Sequence, residues 1–199
     1  MSFRSLWVAG CLLSVLSIVH AQNNSAKDQS IEPNLIANAY RNQTLGFSCK
    51  IPFGWVERTQ AMQQGSSDAS TSHVLLAVFE RPPEAMGETI NSGIVIAVES
   101  AVSYPKVKTA RDYFEPLAEA AAAQKFQVVN EPYSFAVGAK QLVREDFSKP
   151  HGKLTMYQSS LVTIRKGSIV SFTFIGSNLD EVDELIENLS FASSAPRSH

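Results

Sequence analysis

Hydrophobic positions along this chain follow two spacings, one typical of β-strands and one typical of α-helices. From residue 37 to residue 98 the apolar segments are short and separated by turn-forming residues, which predicts strands. The first two segments flank residues 42–44 and are expected to pair as a hairpin. Residues 73–80 and 94–98 are almost continuously apolar, which is typical of strands that are buried in a sheet.

Two polar segments interrupt these predicted strands. Residues 59–72 are rich in Gln and Ser, and we expect a mobile loop there. Residues 81–91 contain the pair Pro82-Pro83 as well as Gly87, and they predict a second loop. Both segments are therefore expected to connect strands without forming elements of their own.

Two later segments show helical spacing. Thr109 and Asp112 form a capping box at the start of the first, because each side chain can accept a hydrogen bond from the other's backbone N–H. The inward face of this helix is predicted to consist of Ala110, Phe114, Leu117, Ala118 and Ala121. Ser177 and Asn178 are predicted to cap the second helix. Its apolar stripe contains Val182, Leu185, Ile186 and Leu189.

The segment between the two helices predicts an antiparallel meander. Its strands are expected at residues 126–129, 133–137, 140–147, 156–164 and 168–175. Lys166-Gly167 is the predicted turn between the last two strands, and residues 149–152 are a second predicted turn. In the last strand, Phe172 and Phe174 mark the better packed face. This order of elements indicates an α+β fold, with an antiparallel β-sheet covered by helices.

Several short motifs along the predicted domain resemble one known superfamily. They are Tyr40, Leu45-Gly46-Phe47, Ile51-Pro52-x-Gly54-Trp55 and, closing the terminal helix, Leu189-Ser190-Phe191. In these motifs the chain is similar to the PsbP-like/Mog-like superfamily, from about residue 37 to residue 191. The resemblance implies an antiparallel sheet sandwiched by helices, and it places the chain beside the exported bacterial members of the superfamily.

The residues of this resemblance have structural rather than chemical roles. Gly46, Phe47, Pro52, Gly54 and Trp55 make up the motif. Gly54 allows a tight bend of the backbone, and we expect that bend to fold Trp55 back onto the sheet. The motif therefore supports the fold more directly than it supports a function.

The first residues of the chain have the layout of a secretory signal peptide. Arg4 precedes an apolar run, and Val19-His20-Ala21 places small side chains at the −3 and −1 positions of a cleavage site. Residues 1–21 are too short for a comfortable membrane span. We expect cleavage after Ala21 and a periplasmic or extracellular protein, without a transmembrane span in the mature chain. The alternative is lipid anchoring at Cys11, which follows a short Val-Ala-Gly sequence.

The mature chain is expected to hold one domain. Residues 22–36 are polar, without periodicity, and predict a flexible tether, while residues 192–199 predict a loose tail. The domain is then residues 37–191, a size at which one hydrophobic core is normal. Apolar residues make up 44% of the chain and the net charge is −2, without strongly basic segments. This composition argues against nucleic acid and against an anionic membrane as partners.

The residue types used in catalysis are isolated from one another in this sequence. Cys49 lies in an apolar strand, where a lone cysteine is usually a small buried hydrophobic residue. His73 opens a strand and His151 lies in a predicted turn, and neither has a partner at metal-ligand spacing. The sequence also contains no Gly-x-Ser-x-Gly motif. We therefore expect no cofactor and no metal.

Two further patterns have simple explanations as surface features. Glu115 and Glu119 are one helical turn apart, a spacing that paired carboxylates could use for acid–base chemistry. Arg111 lies four residues before Glu115, which favours a solvated helix face instead. Asn-x-Ser/Thr triplets, which leave glycosylation an open question, occur at Asn23, Asn42 and Asn188.

The sequence therefore favours an exported, non-enzymatic binding or accessory protein. Its expected partner is a protein, or a small apolar ligand held between the sheet and a helix. The alternative is a secreted hydrolase that uses His73 or His151. A cleft around either histidine, with a carboxylate within reach, would favour that alternative.

Overall fold

A computed structural model describes residues 38–65, 72–82, 85 and 87–192. The predicted signal peptide and tether lie outside the described residues, as does the tail beyond Ala192. In the described part, the strands are β1 (Ala39–Asn42), β2 (Phe47–Lys50), β3 (Val56–Glu57), β4 (Ser72–Phe79), β5 (Gly93–Ser100), β6 (Gln127–Val137), β7 (Lys140–His151), β8 (Leu154–Arg165), β9 (Ser168–Gly176) and β10 (Leu189–Phe191). The helices are α1 (Thr59–Gly65), α2 (Phe114–Ala123) and α3 (Leu179–Ile186), with 3-10 turns at Ala101–Ser103 and Arg111–Tyr113.

These strands form two antiparallel sheets. The larger has seven strands in the order β3-β4-β5-β9-β8-β7-β6, and the smaller has the order β1-β2-β10. The small sheet and helix α3 pack on one face of the large sheet, which we call the core face. Helices α1 and α2 pack on the opposite face. The result is the α+β fold predicted from the sequence, with helices covering an antiparallel sheet.

The core face holds most of the buried apolar surface. Phe172 and Phe174 of β9 are both fully buried there, as the alternation of that strand predicts. Phe47 from the small sheet packs edge-on against Phe172, with ring centroids 5.0 Å apart. On the opposite face, Phe114 and Leu117 of α2 belong to a second cluster, and Met62 of α1 packs on a third. The large sheet is therefore covered on both faces.

Turns and helix caps that depend on a few adjacent residues match the sequence predictions. Strands β1 and β2 pair as a hairpin, and Lys166 and Gly167 both have positive φ angles, as a tight two-residue hairpin turn requires. Thr109 donates its backbone N–H to Asp112 Oδ2 at 2.7 Å, which forms the predicted capping box. Asn178 caps α3 by accepting the backbone N–H of Glu181.

The prediction of a loop over residues 59–72 is wrong for its first half, which is helix α1. The Glu57 carboxylate accepts the backbone N–H of Thr59 at the start of this helix, at 2.8 Å. The side chain of Gln63 accepts the backbone N–H of Val74 at 2.6 Å and so ties the helix to β4. Glutamine is a good helix former, so the polar composition indicated a solvated helix rather than a loop.

The two strands predicted at residues 126–129 and 133–137 are one strand, β6. Strand β6 passes through Pro132 without a break, because it lies at the edge of the sheet, where a missing backbone N–H is tolerated. Irregular register on both sides of Asn130 accommodates the extra residues. Strand β7 likewise continues through Pro150 to His151, and the turn predicted at residues 149–152 begins only at Gly152.

Leu189 to Phe191 form strand β10 rather than the end of the last helix. Helix α3 ends at Ile186, and Leu189 pairs with Cys49 of β2. Leu189 is buried in the same core as the apolar residues of α3, which is why it continues their spacing in the sequence. The last strand thus closes the small sheet.

Candidate functional site

The turn between β2 and β3 holds the most exposed large hydrophobic side chain of the described residues. Gly54 has φ +81°, and the backbone N–H of Trp55 donates to the Pro52 carbonyl at 3.3 Å, which closes a tight turn. Phe53 is 94% exposed at its tip. Trp55 is partly buried and packs against the main core. We call residues 52–55 the Phe53 turn.

Gly46 and Phe47, at the other end of β2, have structural roles. Gly46 has φ +69° and donates its backbone N–H to the Asn42 carbonyl at 2.8 Å, which completes the β1–β2 turn. A side chain there would be strained and would approach the guanidinium of Arg165 to 3.1 Å. Phe47 is buried between the two sheets.

Cys49 lies in the main core and is fully buried. Burial raises the pKa of its thiol to about 12, so the thiolate is not populated near neutral pH. The group therefore has neither the access nor the charge that a cysteine nucleophile needs.

His73 and His151 are both exposed and lie far apart. Four strand spacings separate β4 from β7 in the sheet, so the two histidines are at least about 19 Å apart. Within the described ranges, no hydrogen bond or ion pair joins either histidine to a hydroxyl or a carboxylate. Those ranges also contain no group of three or more His, Cys, Asp or Glu side chains arranged to hold a metal ion.

Glu115 and Glu119 project from helix α2 into solvent, as does Arg111. The carboxylate pair therefore lies on an open face rather than in a cleft. Among the glycosylation triplets, Asn42 and Asn188 both use their side chains locally. Asn42 Oδ1 accepts the backbone N–H of Leu45, and Asn188 Nδ2 donates to the Leu185 carbonyl. Asn23 lies outside the described residues.

A buried charged network on the core face was not predicted from the sequence. Arg144 of β7 is 3% exposed, and its Nε donates to Asp146 Oδ1 at 2.7 Å. Its Nη2 donates to Ser159 Oγ at 3.0 Å, and its Nη1 forms an ion pair with Asp183 Oδ1 of helix α3 at 2.6 Å. The guanidinium also lies 4.8 Å from the ring centroid of Phe135. This network fastens α3 to the sheet.

Asp146 is the centre of this network. Its Oδ1 also accepts the hydroxyl of Ser159, while its Oδ2 accepts Asn130 Nδ2 and the Tyr133 hydroxyl, each at 3.0 Å. Burial raises the pKa of Tyr133 to about 12, so this phenol keeps its proton and donates. None of the buried side-chain polar atoms of the network lacks a partner, which is typical of a structural role.

Two buried carboxyl groups on the opposite face are less well satisfied. Glu99 Oε1 accepts the Tyr113 hydroxyl at 3.1 Å, but Oε2 has no partner. Glu145 Oε2 also lacks a partner. Burial, with the nearby charges of Glu131 and Asp146, raises the pKa of Glu145 to about 7, and burial raises that of Glu99 as well. Among the described residues, Glu99 and Glu145 are the carboxyl groups whose pKa is raised. No sequence motif identifies either of them.

Comparison with solved structures identifies the fold. Cyanobacterial PsbP (CyanoP) from Synechocystis aligns over 85% of this chain and 98% of its own, with 14% identity and a TM-score of 0.52. The chain folds like PsbP. The PsbP-like fold expected from the sequence motifs is therefore confirmed. No protein-family model matches the chain, and neither does any curated protein.

Two other solved structures are more distantly similar to this PsbP-like chain. LpqN of Mycobacterium tuberculosis, described as involved in cell envelope biogenesis, aligns over 74% of this chain and 83% of its own, with 13% identity and a TM-score of 0.42. The Saccharomyces cerevisiae Ran-binding protein Mog1p aligns over 73% and 90%, with 9% identity and a TM-score of 0.44. Within the described residues, no helix has the length and apolar character needed to cross a membrane.

Proposed function

We propose that this protein is an exported, non-enzymatic accessory protein that binds a protein partner through the Phe53 turn. The observation that supports the proposal is the 94% exposure of Phe53 on a turn whose shape is fixed by its neighbours. Large aromatic side chains are the residues that most often contribute binding energy at the centre of protein interfaces. A fixed turn also loses little conformational entropy when its partner binds.

The surroundings of Phe53 resemble a small interface patch. Trp55, two residues further along the turn, packs its partly buried ring on the main core and so anchors the turn. Lys50 and Glu57, which precede and follow the turn, are both exposed and provide charged groups of opposite sign at the edge. An aromatic centre with a polar rim is the usual composition of a protein–protein contact.

A protein is a better partner for this turn than a membrane surface. One inserted aromatic ring supplies only a few kcal/mol, and stable attachment to a membrane needs further apolar groups or a basic patch. Lys50 and Glu57, which precede and follow the Phe53 turn in the chain, carry charges of opposite sign and so do not form a basic patch. A pocket on a protein can enclose the ring and also pair with both charges.

The isolation of the nucleophile and base candidates supports a non-enzymatic role. Cys49 is buried and protonated, while His73 and His151 are exposed on different strands. General base catalysis requires a base within hydrogen-bond reach of the group it activates. Among the described residues, no carboxylate forms a hydrogen bond or ion pair with either histidine, whereas such a contact is the arrangement that would favour a hydrolase.

The proposal is tested by placing a photo-crosslinking residue at position 53 or 102 of the tagged chain in its native envelope. Val102 is 87% exposed and is the matched control, because it is an exposed apolar residue outside the Phe53 turn. We expect a discrete crosslinked protein from position 53 and none from position 102. Phe53→Ala should abolish co-purification of that protein without lowering Tm. Unchanged co-purification in Phe53→Ala would contradict the proposal.

Export is tested separately. The Val19-His20-Ala21 site implies that the mature chain, isolated from the envelope, begins at Gln22. N-terminal sequencing and the intact mass measure this directly. A mature chain that begins at a lipid-modified Cys11 would instead make the protein membrane-anchored.

A further inference from the structure

An open cleft lies between the β1–β2 turn and the neighbouring end of the large sheet. Residues 42–45 form one wall, Leu75 and Val98 form the floor, and Ser168 lies at one end. Its volume is about 580 Å³, within the range of small-molecule sites. It lies at the opposite end of β2 from the Phe53 turn, so it is independent of the docking surface proposed above.

The apolar floor of the cleft results from a β-bulge. Val74 pairs with Ala97 and Leu76 with Ile96, which leaves Leu75 as an extra residue in β4. Regular alternation would place Leu75 on the face opposite Leu76, yet both pack on the core face. Bulges commonly redirect a side chain near a functional site. Here the bulge places Leu75 beside Val98 on the cleft floor.

Local hydrogen bonds fix the shape of the cleft wall. Asn42 Oδ1 accepts the backbone N–H of Leu45 at 2.9 Å, and the Asn42 carbonyl accepts that of Gly46 at 2.8 Å. Leu45 itself is buried in the main core. These contacts hold the turn above the floor, so a ligand would not have to order it.

The guanidinium of Arg165 lies close to this wall. An ideal Cβ at Gly46, the residue after the wall, would lie 3.1 Å from Nη1 of Arg165. Arg165 also pairs with Ser168 across the β8–β9 hairpin, which brings it to the Ser168 end of the cleft. Within the described part of the chain, no hydrogen bond or ion pair occupies its guanidinium. Its donors are thus available to an anion at that end.

We propose that this cleft binds a small amphipathic carboxylate. Its hydrocarbon part lies on Leu75 and Val98, and its carboxylate pairs with Arg165. A guanidinium presents two parallel N–H donors that match the two oxygens of a carboxylate. An amine of the same length would be repelled by Arg165, and an alcohol would gain no charged hydrogen bond. The affinity of the site should therefore depend more on the charge of the ligand's head group than on the shape of its hydrocarbon chain.

The first test measures binding of three probes of equal chain length to the exported protein by calorimetry at low ionic strength. We expect octanoate to bind about tenfold more tightly than octanol, because a charged hydrogen bond adds roughly that factor. Octylamine should show no measurable binding. Equal affinities for octanoate and octanol, or no octanoate binding at millimolar concentration, would overturn the proposal.

The second test uses variants and locates the ligand. Arg165→Gln should lose about tenfold in octanoate affinity and leave octanol affinity within about twofold. Arg111→Gln is the matched control, because that exposed arginine lies beside α2 on the opposite face. Methyl NMR shifts on adding octanoate should be largest at Leu75 and Val98. Shifts confined to other methyl groups, or unchanged octanoate affinity in folded Arg165→Gln, would overturn the assignment.

Discussion

The two faces of the large sheet bury charged residues in different ways. On the core face, Arg144 and Asp146 form a buried ion pair and make further polar contacts with β6, β8 and α3. On the opposite face, Glu99 and Glu145 are buried, but each keeps one oxygen without a partner. The core face thus stabilises its buried charges by pairing them with each other. On the other face, burial instead raises the pKa of both carboxyl groups.

This difference follows from the hydrogen-bond donors and charges that surround the buried carboxyl groups on each face. Asp146 has hydrogen bonds at both oxygens from four different side chains, which is about the full capacity of a carboxylate. Glu145 instead lies near the negative charges of Glu131 and Asp146, and its pKa of about 7 reflects burial first and those charges second. Removal of one partner should therefore destabilise the core face, whereas removal of the charge should stabilise the opposite face.

The largest expected loss of stability comes from breaking the ion pair between Arg144 and Asp146 on the core face. Asp146→Ala leaves the Arg144 guanidinium buried without its main partner, and it should cost about 3–5 kcal/mol of unfolding free energy. Asp183→Ala is the matched control, since its side chain is 56% exposed and the pair is partly screened by water. That variant should lose only about 1 kcal/mol. Urea unfolding measures both, and equal losses would contradict the distinction.

A smaller loss is expected at the edge of the same core. Trp55 is only partly buried, so Trp55→Ala should cost about 2 kcal/mol, less than the 3–5 kcal/mol of a fully enclosed ring. Phe53→Ala, in the same turn, should leave the unfolding free energy unchanged within about 0.5 kcal/mol. In a chain cleaved after Ala21, Trp55 is the sole tryptophan. Its fluorescence should be blue-shifted from free tryptophan and partly quenched by iodide, whereas emission like that of free tryptophan would mean full exposure.

The opposite face should respond to pH. The Glu145 carboxyl has a pKa of about 7 in the folded chain, against 4.5 as its ordinary value. Between pH 4.5 and pH 7 the unfolded chain gives up this proton first, so stability falls as the pH rises and then levels off. Glu145→Gln should remove this slope and raise stability at pH 8 by about 1–2 kcal/mol, while leaving it unchanged at pH 4. Thermal unfolding across this pH range measures the effect.

The control for the pH experiment is Glu115→Gln, which removes a solvent-exposed carboxyl from helix α2. It should keep the slope of the unaltered protein. A Glu145→Gln variant with that same slope would show that Glu145 is not neutralised by its surroundings, and the contrast between the two faces would fail.

The smallest effects on stability are expected at the two exposed histidines. His73→Ala and His151→Ala should each change the unfolding free energy by less than about 1 kcal/mol, as exposed positions usually do. Neither should alter partner binding. If either variant abolished a biological activity while keeping the native Tm, the hydrolase alternative would replace the binding proposal.

Features set by adjacent residues could be predicted from the sequence. Lys166-Gly167 specifies a hairpin turn, and Thr109 with Asp112 specifies a helix start, because each depends on local backbone geometry alone. Helix α1 lacked such a signal. Its helical state rests on contacts with neighbouring strands, such as that between Gln63 and Val74.

The buried network could not be predicted for a different reason. Arg144 and Asp146 occupy alternate positions of a strand, a pattern that ordinarily predicts a solvent-facing side. Their burial depends on Asp183, which arrives from helix α3, and on Tyr133 from the adjacent strand. The unpartnered oxygen of Glu145 depends in the same way on the packing of distant segments. Single-sequence patterns contain no information about these distant contacts.

Strand β10 also determines when the protein can finish folding. The hydroxyls of Ser48 and Ser190 are 2.9 Å apart although 142 positions separate them in the chain. Phe191 lies next to both Phe47 and Phe172, so the aromatic contacts of the main core are incomplete without it. A chain made from its N-terminus therefore cannot complete this core until Phe191 has been synthesised, long after Phe47.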